Sequence, residues 1–263
     1  MKKFMIMAAA VMVSLSVNAQ SSPEAKAIKK MKSYTEVLEA IKANGASFDK
    51  ADNAFAYNKL VDLAISENSK TEKAAIEAQL AKNAEQQAQM TNAKNAAAYN
   101  ALQAAMQCNA FDEKGKYKNK NVNRLMTIRN SMVQAGLDAY NTKDYESATK
   151  YFGAFVETRT DALFNEADFS REQNFGQIAY YAALAAYFNK DYAKCDQYAD
   201  AALNSSERDS IANDVIIVKL GAYEEQAKTA VMDSATYVKN VRAMYDQFPE
   251  NENIFGKLVG LYE

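Results

Sequence analysis

The hydrophobic positions of residues 131–156 recur at helical spacing on either side of a short polar turn. This pattern predicts two amphipathic helices packed as a hairpin. The pattern returns 47 residues downstream, where nine of the 20 residues in 135–154 are repeated. The repeated residues are Ala135, Leu137, Ala139, Tyr140, Lys143, Asp144, Tyr145, Tyr151 and Ala154. Repetition of a helix–turn–helix unit is typical of proteins that stack such units into a solenoid.

The chain before this repeat predicts helical hairpins over residues 20–112. The Ser22-Pro23 pair combines an N-cap residue with an N1 proline, and Gly45 is suited to end the first helix. Residues 71–91 are rich in Ala, Gln and Glu and have few apolar anchors. We therefore expect a separate helix there that is only weakly held, because helix propensity without an apolar stripe stabilises little.

The second half of the chain predicts an array of helix pairs over residues 124–263. Together with the N-terminal hairpins this makes about eleven helices, and no alternating run is long enough to predict a strand. Between the first two units lies a long loop with the apolar residues Leu163, Phe164, Phe169 and Phe175, which we expect to fold back over the helices. The predicted units are 124–158, 172–204, 209–249 and a partial unit at 252–263.

The two clear units place small and aromatic residues at a characteristic spacing. In the first unit these are Met132, Gly136, Tyr140, Asp144, Tyr145, Ala148, Phe152 and Phe155. In the second they are Ala179, Ala183, Tyr187, Asp191, Tyr192, Cys195, Ala199 and Ala202. The pattern resembles the tetratricopeptide repeat (TPR) family. The spacing of 47 residues differs from the roughly 34 of that family, and the additional residues fall between the units.

The resemblance implies an all-α fold, a right-handed α-solenoid of antiparallel helix pairs whose first helices line a concave face. The register predicts these concave residues in two units. They are Val133, Leu137, Tyr140, Asn141, Gln177, Tyr180, Leu184, Tyr187 and Phe188. An aromatic groove with few charges suits a protein or peptide partner with apolar anchors, although the same tyrosines could simply pack between repeats.

The N-terminus has the features of a secretory signal peptide over residues 1–19. Lys2 and Lys3 precede a short apolar run, and Val17-Asn18-Ala19 is a small-residue cleavage site. No Cys follows that site, so a lipid-anchored lipoprotein is not expected. No later segment is apolar enough to span a membrane. A mature chain beginning near Gln20 would carry a net charge of about −4, which argues against a nucleic-acid binder. We therefore expect a periplasmic protein of a Gram-negative bacterium.

The amino-acid composition argues against catalysis. The chain has no histidine, and its eight glycines are scattered, so neither a His-based centre nor a phosphate-binding loop is predicted. We expect no metal, no cofactor and no enzymatic activity. Cys108 and Cys195 form an even pair in an exported protein, which allows a disulfide. However, Cys195 occupies the small packing position of Ala148 in the preceding unit, so we expect two unpaired thiols.

Two segments suggest contacts beyond the array. Residues 113–123 are strongly basic and predict either a solvated linker or a docking site for an acidic partner. Residues 252–263 form an apolar helix with no following helix to cover it, which predicts self-association or continuation of the array in a longer chain.

The resulting functional prediction is a non-catalytic TPR-like scaffold that binds protein or peptide in the cell envelope. The alternative is a small-ligand or glycan-binding component of an outer-membrane uptake system.

Overall fold

A computed structural model describes residues 22–170 and 172–261, and the predicted signal peptide at 1–19 lies outside them. The described residues contain eleven α-helices, two short 3-10 helices and no strand, which confirms the all-α prediction. The first six helices are α1 Pro23–Ile28, α2 Tyr34–Asn44, α3 Lys50–Leu80, α4 Ala84–Phe111, α5 Lys118–Asn141 and α6 Tyr145–Thr160. The others are α7 Phe175–Phe188, α8 Tyr192–Leu203, α9 Arg208–Lys228, α10 Ser234–Gln247 and α11 Glu252–Val259.

The N-terminal part differs from the prediction in where its helices begin and end. Ser22 caps α1 as expected, but the chain then turns, and Ser33 starts α2 with a capping box to Glu36. Residues 71–80 and 84–91 are helical, as predicted, but they do not form one separate helix. Residues 71–80 continue α3, and α4 begins at Ala84 after a turn. This prediction was wrong because the turn depends on a left-handed residue at Lys82, which has no glycine to mark it.

The helix pairs α3–α4, α5–α6, α7–α8 and α9–α10 are joined by turns of one backbone geometry. In the second of these turns the N–H of Lys143 donates to Tyr140 O at 3.0 Å, and the N–H of Asp144 donates to Ala139 O at 2.9 Å. This pair of bonds is the Schellman motif, and it recurs in the other three turns. The left-handed residues of the four turns are Lys82, Lys143, Lys190 and Ala230.

An Asn or Asp side chain then begins the second helix of every pair. Each accepts a backbone N–H from the first turn of the new helix, which satisfies a donor that would otherwise lack a partner. The four N-cap residues are Asn83, Asp144, Asp191 and Asp233. The backbone turn at 141–145 thus occurs four times in the described structure, including once in the N-terminal hairpin, and in the α9–α10 connection the N-cap Asp233 follows the left-handed Ala230 by three residues.

The helices pack mainly on their neighbours along the chain. α3 packs along α4, α5 along α6 and α7 along α8, while α6 contacts α7 and α8 contacts α9. The α9–α10 contact is much less extensive, and α10 buries only Val241 and Met244. None of the helices in the described part of the chain has the length and apolar character needed to cross a bilayer.

The expected basic linker at 113–123 is shorter than predicted. Only a tight turn at 112–117 separates α4 from α5, because the Asp112 carboxylate accepts the N–H groups of Lys116 and Tyr117. The following basic residues lie on α5 and pair with acids elsewhere: Lys118 with Glu166, and Arg124 with Asp62. Much of the basic charge in this segment is therefore neutralised within the chain.

The long loop between α6 and α7 folds back as predicted. Leu163 and Phe164 are fully buried in a short 3-10 helix. Beyond them, Glu172 forms ion pairs with both Arg129 and Arg159. Arg129 has no exposed surface, and its guanidinium lies 3.8 Å from the centroid of the Phe155 ring. Burial lowers the pKa of Arg129, and Glu172 counteracts that shift.

Both cysteines are buried and carry free thiols. Cys195 has no exposed surface, which confirms the predicted burial at the small packing position of the second unit. Cys108 donates to the carbonyl oxygen of Ala54 at 3.2 Å. Burial raises the pKa of each thiol to about 12, so both remain protonated and unreactive at neutral pH.

Candidate functional site

An aromatic cluster covers the turn ends of α5, α6 and α7. The rings of Tyr145 and Phe188 stack with centroids 4.9 Å apart, and Tyr140 contacts both. Phe188 in turn contacts Tyr187 edge-on at 5.8 Å. Tyr140 and Tyr187 occupy equivalent positions of the two units, whereas Phe188 lies where the first unit has Asn141. Phe188 remains 45% exposed, so the cluster ends at an open apolar surface.

An apolar groove of about 420 Å³ continues from this surface between α7, α9 and α11. One wall is formed by Leu184, Tyr187 and Phe188 at the end of α7. Along the opposite wall, on α9, Ile217 is 49% exposed, an unusual position for an isoleucine. Two large exposed apolar side chains that face one concave space mark a candidate interaction surface.

The floor of the groove depends on a close approach of α7 and α9. A Cβ atom added to Gly221 would lie 3.2 Å from Cε2 of Tyr187, which is tighter than ordinary van der Waals contact. A side chain at this point would force the tyrosine ring to shift by a few tenths of an ångström. The Tyr187 ring is therefore held between Gly221 and the rings of Phe188 and Tyr192.

The charged groups in the groove neutralise each other. Glu224 on α9 and Lys257 on α11 form an ion pair at its edge, and they are the charged side chains among the described residues that line it. The hydrogen bond and the charge of Glu224 raise the pKa of Lys257. The pair also joins α11 to α9, together with hydrogen bonds from Asn251 and Asn253 to Asn213. A ligand in this groove would meet apolar walls and almost no net charge.

Of the nine residues predicted for the concave face, four lie in or beside the apolar groove and five lie elsewhere. Leu184, Tyr187 and Phe188 line the groove, and Tyr140 adjoins it through Phe188. The remaining five do not line it. Val133 and Leu137 are half-buried against the core, Asn141 is exposed at the end of α5, and Gln177 and Tyr180 are half-buried near the start of α7.

Sequence reasoning missed the α9 and α11 walls of the groove. A signal was present in α9, where residues 215–218 are four consecutive apolar, β-branched residues. A helix buries only one stripe of its surface, so one of the four must face outward, and that residue is Ile217. The α11 wall could not be predicted, because the ion pair of Lys257 joins residues 33 positions apart.

The described residues hold no cluster of three or more acidic or cysteine side chains arranged to bind a metal ion. Comparison of the chain with protein-family models, with curated proteins and with solved structures gives no match.

Proposed function

We propose that this protein is a TPR-like solenoid that acts as a non-catalytic scaffold and binds an apolar helical or extended segment of another protein in the α7–α9–α11 groove. The observation that carries the proposal is the concave surface between Phe188 and Ile217, in which both large apolar side chains remain about half exposed. Such surfaces are uncommon in monomeric proteins without a binding role.

The character of the groove favours a partner segment without charge at its anchor positions. Glu224 and Lys257 are already paired, so an additional charge on the partner would lose hydration without gaining a counter-ion. Aromatic and aliphatic walls suit anchor residues such as Leu, Phe or Met, spaced so that they lie on one face of a helix.

The solenoid part of the proposal is supported by the recurring turn geometry and by the sequential packing of α5 to α9. The right-handed sense of the stack, membership of the TPR class and the envelope location belong to the same proposal. The location is motivated by the charged and then apolar start of the chain.

A peptide-display selection against the purified protein tests the proposal. Selected peptides should bind the wild type, and Ile217→Asp should weaken them at least about tenfold, because it places a charge in an apolar contact. The matched control is Val231→Asp, which alters a 75% exposed valine outside the groove and should leave affinity unchanged. Equal binding to both variants, or no selectable peptide, would refute the groove assignment. A signal on a glycan array that Ile217→Asp abolishes would favour the glycan-binding alternative instead.

A further inference from the structure

A second groove, which is polar, lies between α4 and the ends of α5 and α6 that meet at the turn. Its volume is about 500 Å³, and it shares no lining residue with the apolar groove. Hydroxyl, amide and carboxylate groups from all three helices face it. Lysine and arginine are absent from the described residues that line it, although the chain contains 31 basic residues.

Asn95 on α4 provides the first indication of a ligand. This residue is only 7% exposed and lines the groove, yet its amide forms no hydrogen bond with any described residue. Neither polar atom of this side chain is fully enclosed, so the amide opens onto the groove. The groove is the side from which a ligand or an ordered water can supply that partner.

Tyr151 on α6 provides the second indication of a ligand. It is 9% exposed and lines the groove, and its hydroxyl likewise has no hydrogen-bond partner among residues 22–170 and 172–261. Burial raises the pKa of Tyr151, and the nearby Asp144 carboxylate raises it further. The phenol is therefore neutral at physiological pH and can both donate and accept a hydrogen bond.

Two carboxylates give the groove its charge. Asp138 accepts a hydrogen bond from Gln134 Nε2 at 2.7 Å through Oδ1, and Asp144 accepts the N–H of Ser147 at 3.1 Å through Oδ1. The Oδ2 atom of each remains without a partner in the described structure, and neither carboxylate is in an ion pair there. Lys150 does not line the groove; its Nζ lies over two rings, 4.3 Å from the centroid of Tyr99 and 5.7 Å from that of Tyr151.

We propose that this polar groove binds a small organic cation, either an ammonium or a guanidinium group such as the side chain of lysine or arginine. Asp138 and Asp144 supply the opposite charge, while Asn95 and Tyr151 hydrogen-bond the adjoining polar atoms of the ligand. The proposal is independent of the apolar groove, and either could fail without the other.

Isothermal titration calorimetry of the purified protein tests this site. Arginine amide and spermidine serve as cationic probes, and citrulline amide serves as an uncharged analogue of arginine amide with nearly the same shape; both amino-acid amides are Nα-acetylated, so that their α-amino groups carry no charge. We expect saturable binding of at least one cation and none of citrulline amide. Binding of spermidine alone would identify a free polyamine as the ligand, whereas binding of arginine amide would point to a basic side chain.

Matched variants locate the binding. Asp144→Asn keeps the helix N-cap and removes the charge, and it should weaken binding about threefold to fivefold. Asp191→Asn makes the same change at the N-cap of α8, outside the groove, and should have no effect. Asn95→Ala should also weaken binding, with circular dichroism used to verify the fold. The proposal is wrong if no cation binds, if citrulline amide binds equally, or if Asp191→Asn weakens binding as much as Asp144→Asn.

Discussion

At the scale of single residues, glycines determine how closely the helices approach. A Cβ atom on Gly136 would lie 2.5 Å from Cδ1 of Phe152, and one on Gly153 would lie 2.1 Å from the hydroxyl of Tyr198. In both cases an aromatic side chain fills the space that the glycine leaves. The sequence pattern identified Gly136 as a close-packing position, but it could not show that the Phe152 ring is what packs against it.

Replacing Gly136 with alanine should destabilise the protein by about 1–3 kcal/mol, because the Phe152 ring must move out of a filled core. Gly256→Ala is the control, since no atom lies within 4 Å of a Cβ at that position and alanine favours helix. The control should leave stability unchanged or raise it by up to about 1 kcal/mol. Thermal unfolding followed by circular dichroism measures both. An equal loss in the two variants would contradict this packing.

The buried ion pair of Arg129 leads to a second prediction at this scale. Glu172→Gln should cost about 3 kcal/mol or more, because it leaves a fully buried guanidinium without its counter-ion. Glu166→Gln removes the carboxylate of an exposed pair with Lys118 and should leave the urea midpoint close to that of the wild type. Urea denaturation of the two variants provides the comparison. Similar urea midpoints for both variants would show that Glu172 is not needed to keep the loop between α6 and α7 packed against the helices.

At the scale of elements, the turn is the unit that repeats. Lys143 and Lys190 both adopt left-handed backbone, with φ of 62° and 60°, and each precedes an N-cap aspartate. The internal repeat predicted these two turns well, because helical periodicity and the Lys-Asp pair occur together. It did not predict the matching turn at Lys82-Asn83, because the ends of α3 and α4 that meet there lack the aromatic residues that mark the later units.

Lys190→Gly should stabilise the protein by up to about 1 kcal/mol, because glycine adopts the left-handed conformation without the clash of a Cβ atom. Gln197→Gly, at an exposed position inside α8, should instead cost about 1 kcal/mol. For a chain of this length each kcal/mol shifts the melting temperature by roughly 2–4 °C, which calorimetry resolves. A lower melting temperature for Lys190→Gly would count against the turn geometry.

At the scale of the whole molecule, each helix packs mainly against its neighbours in sequence, so the order of the chain is also the order in space. The sequence predicted the helix pairs from α5 to α10 because their apolar stripes are local features. It predicted only part of the apolar groove, which requires residues from α7, α9 and α11 together. The polar groove lies between an N-terminal hairpin and a repeat, and no local pattern joins those two segments.

The proposed solenoid should be measurably longer than a globular chain of equal length. A compact protein of the 244 residues in 20–263 would have a radius of gyration of about 18 Å. Here α3 alone, with 31 residues, is about 47 Å long.

We therefore expect small-angle X-ray scattering to give a radius of gyration above about 22 Å, with a compact helical protein of similar mass as the reference. The radius of gyration is measured at several protein concentrations, because a value that rises with concentration would indicate an oligomer and not an elongated monomer. A concentration-independent radius close to that of the reference would contradict the proposed solenoid.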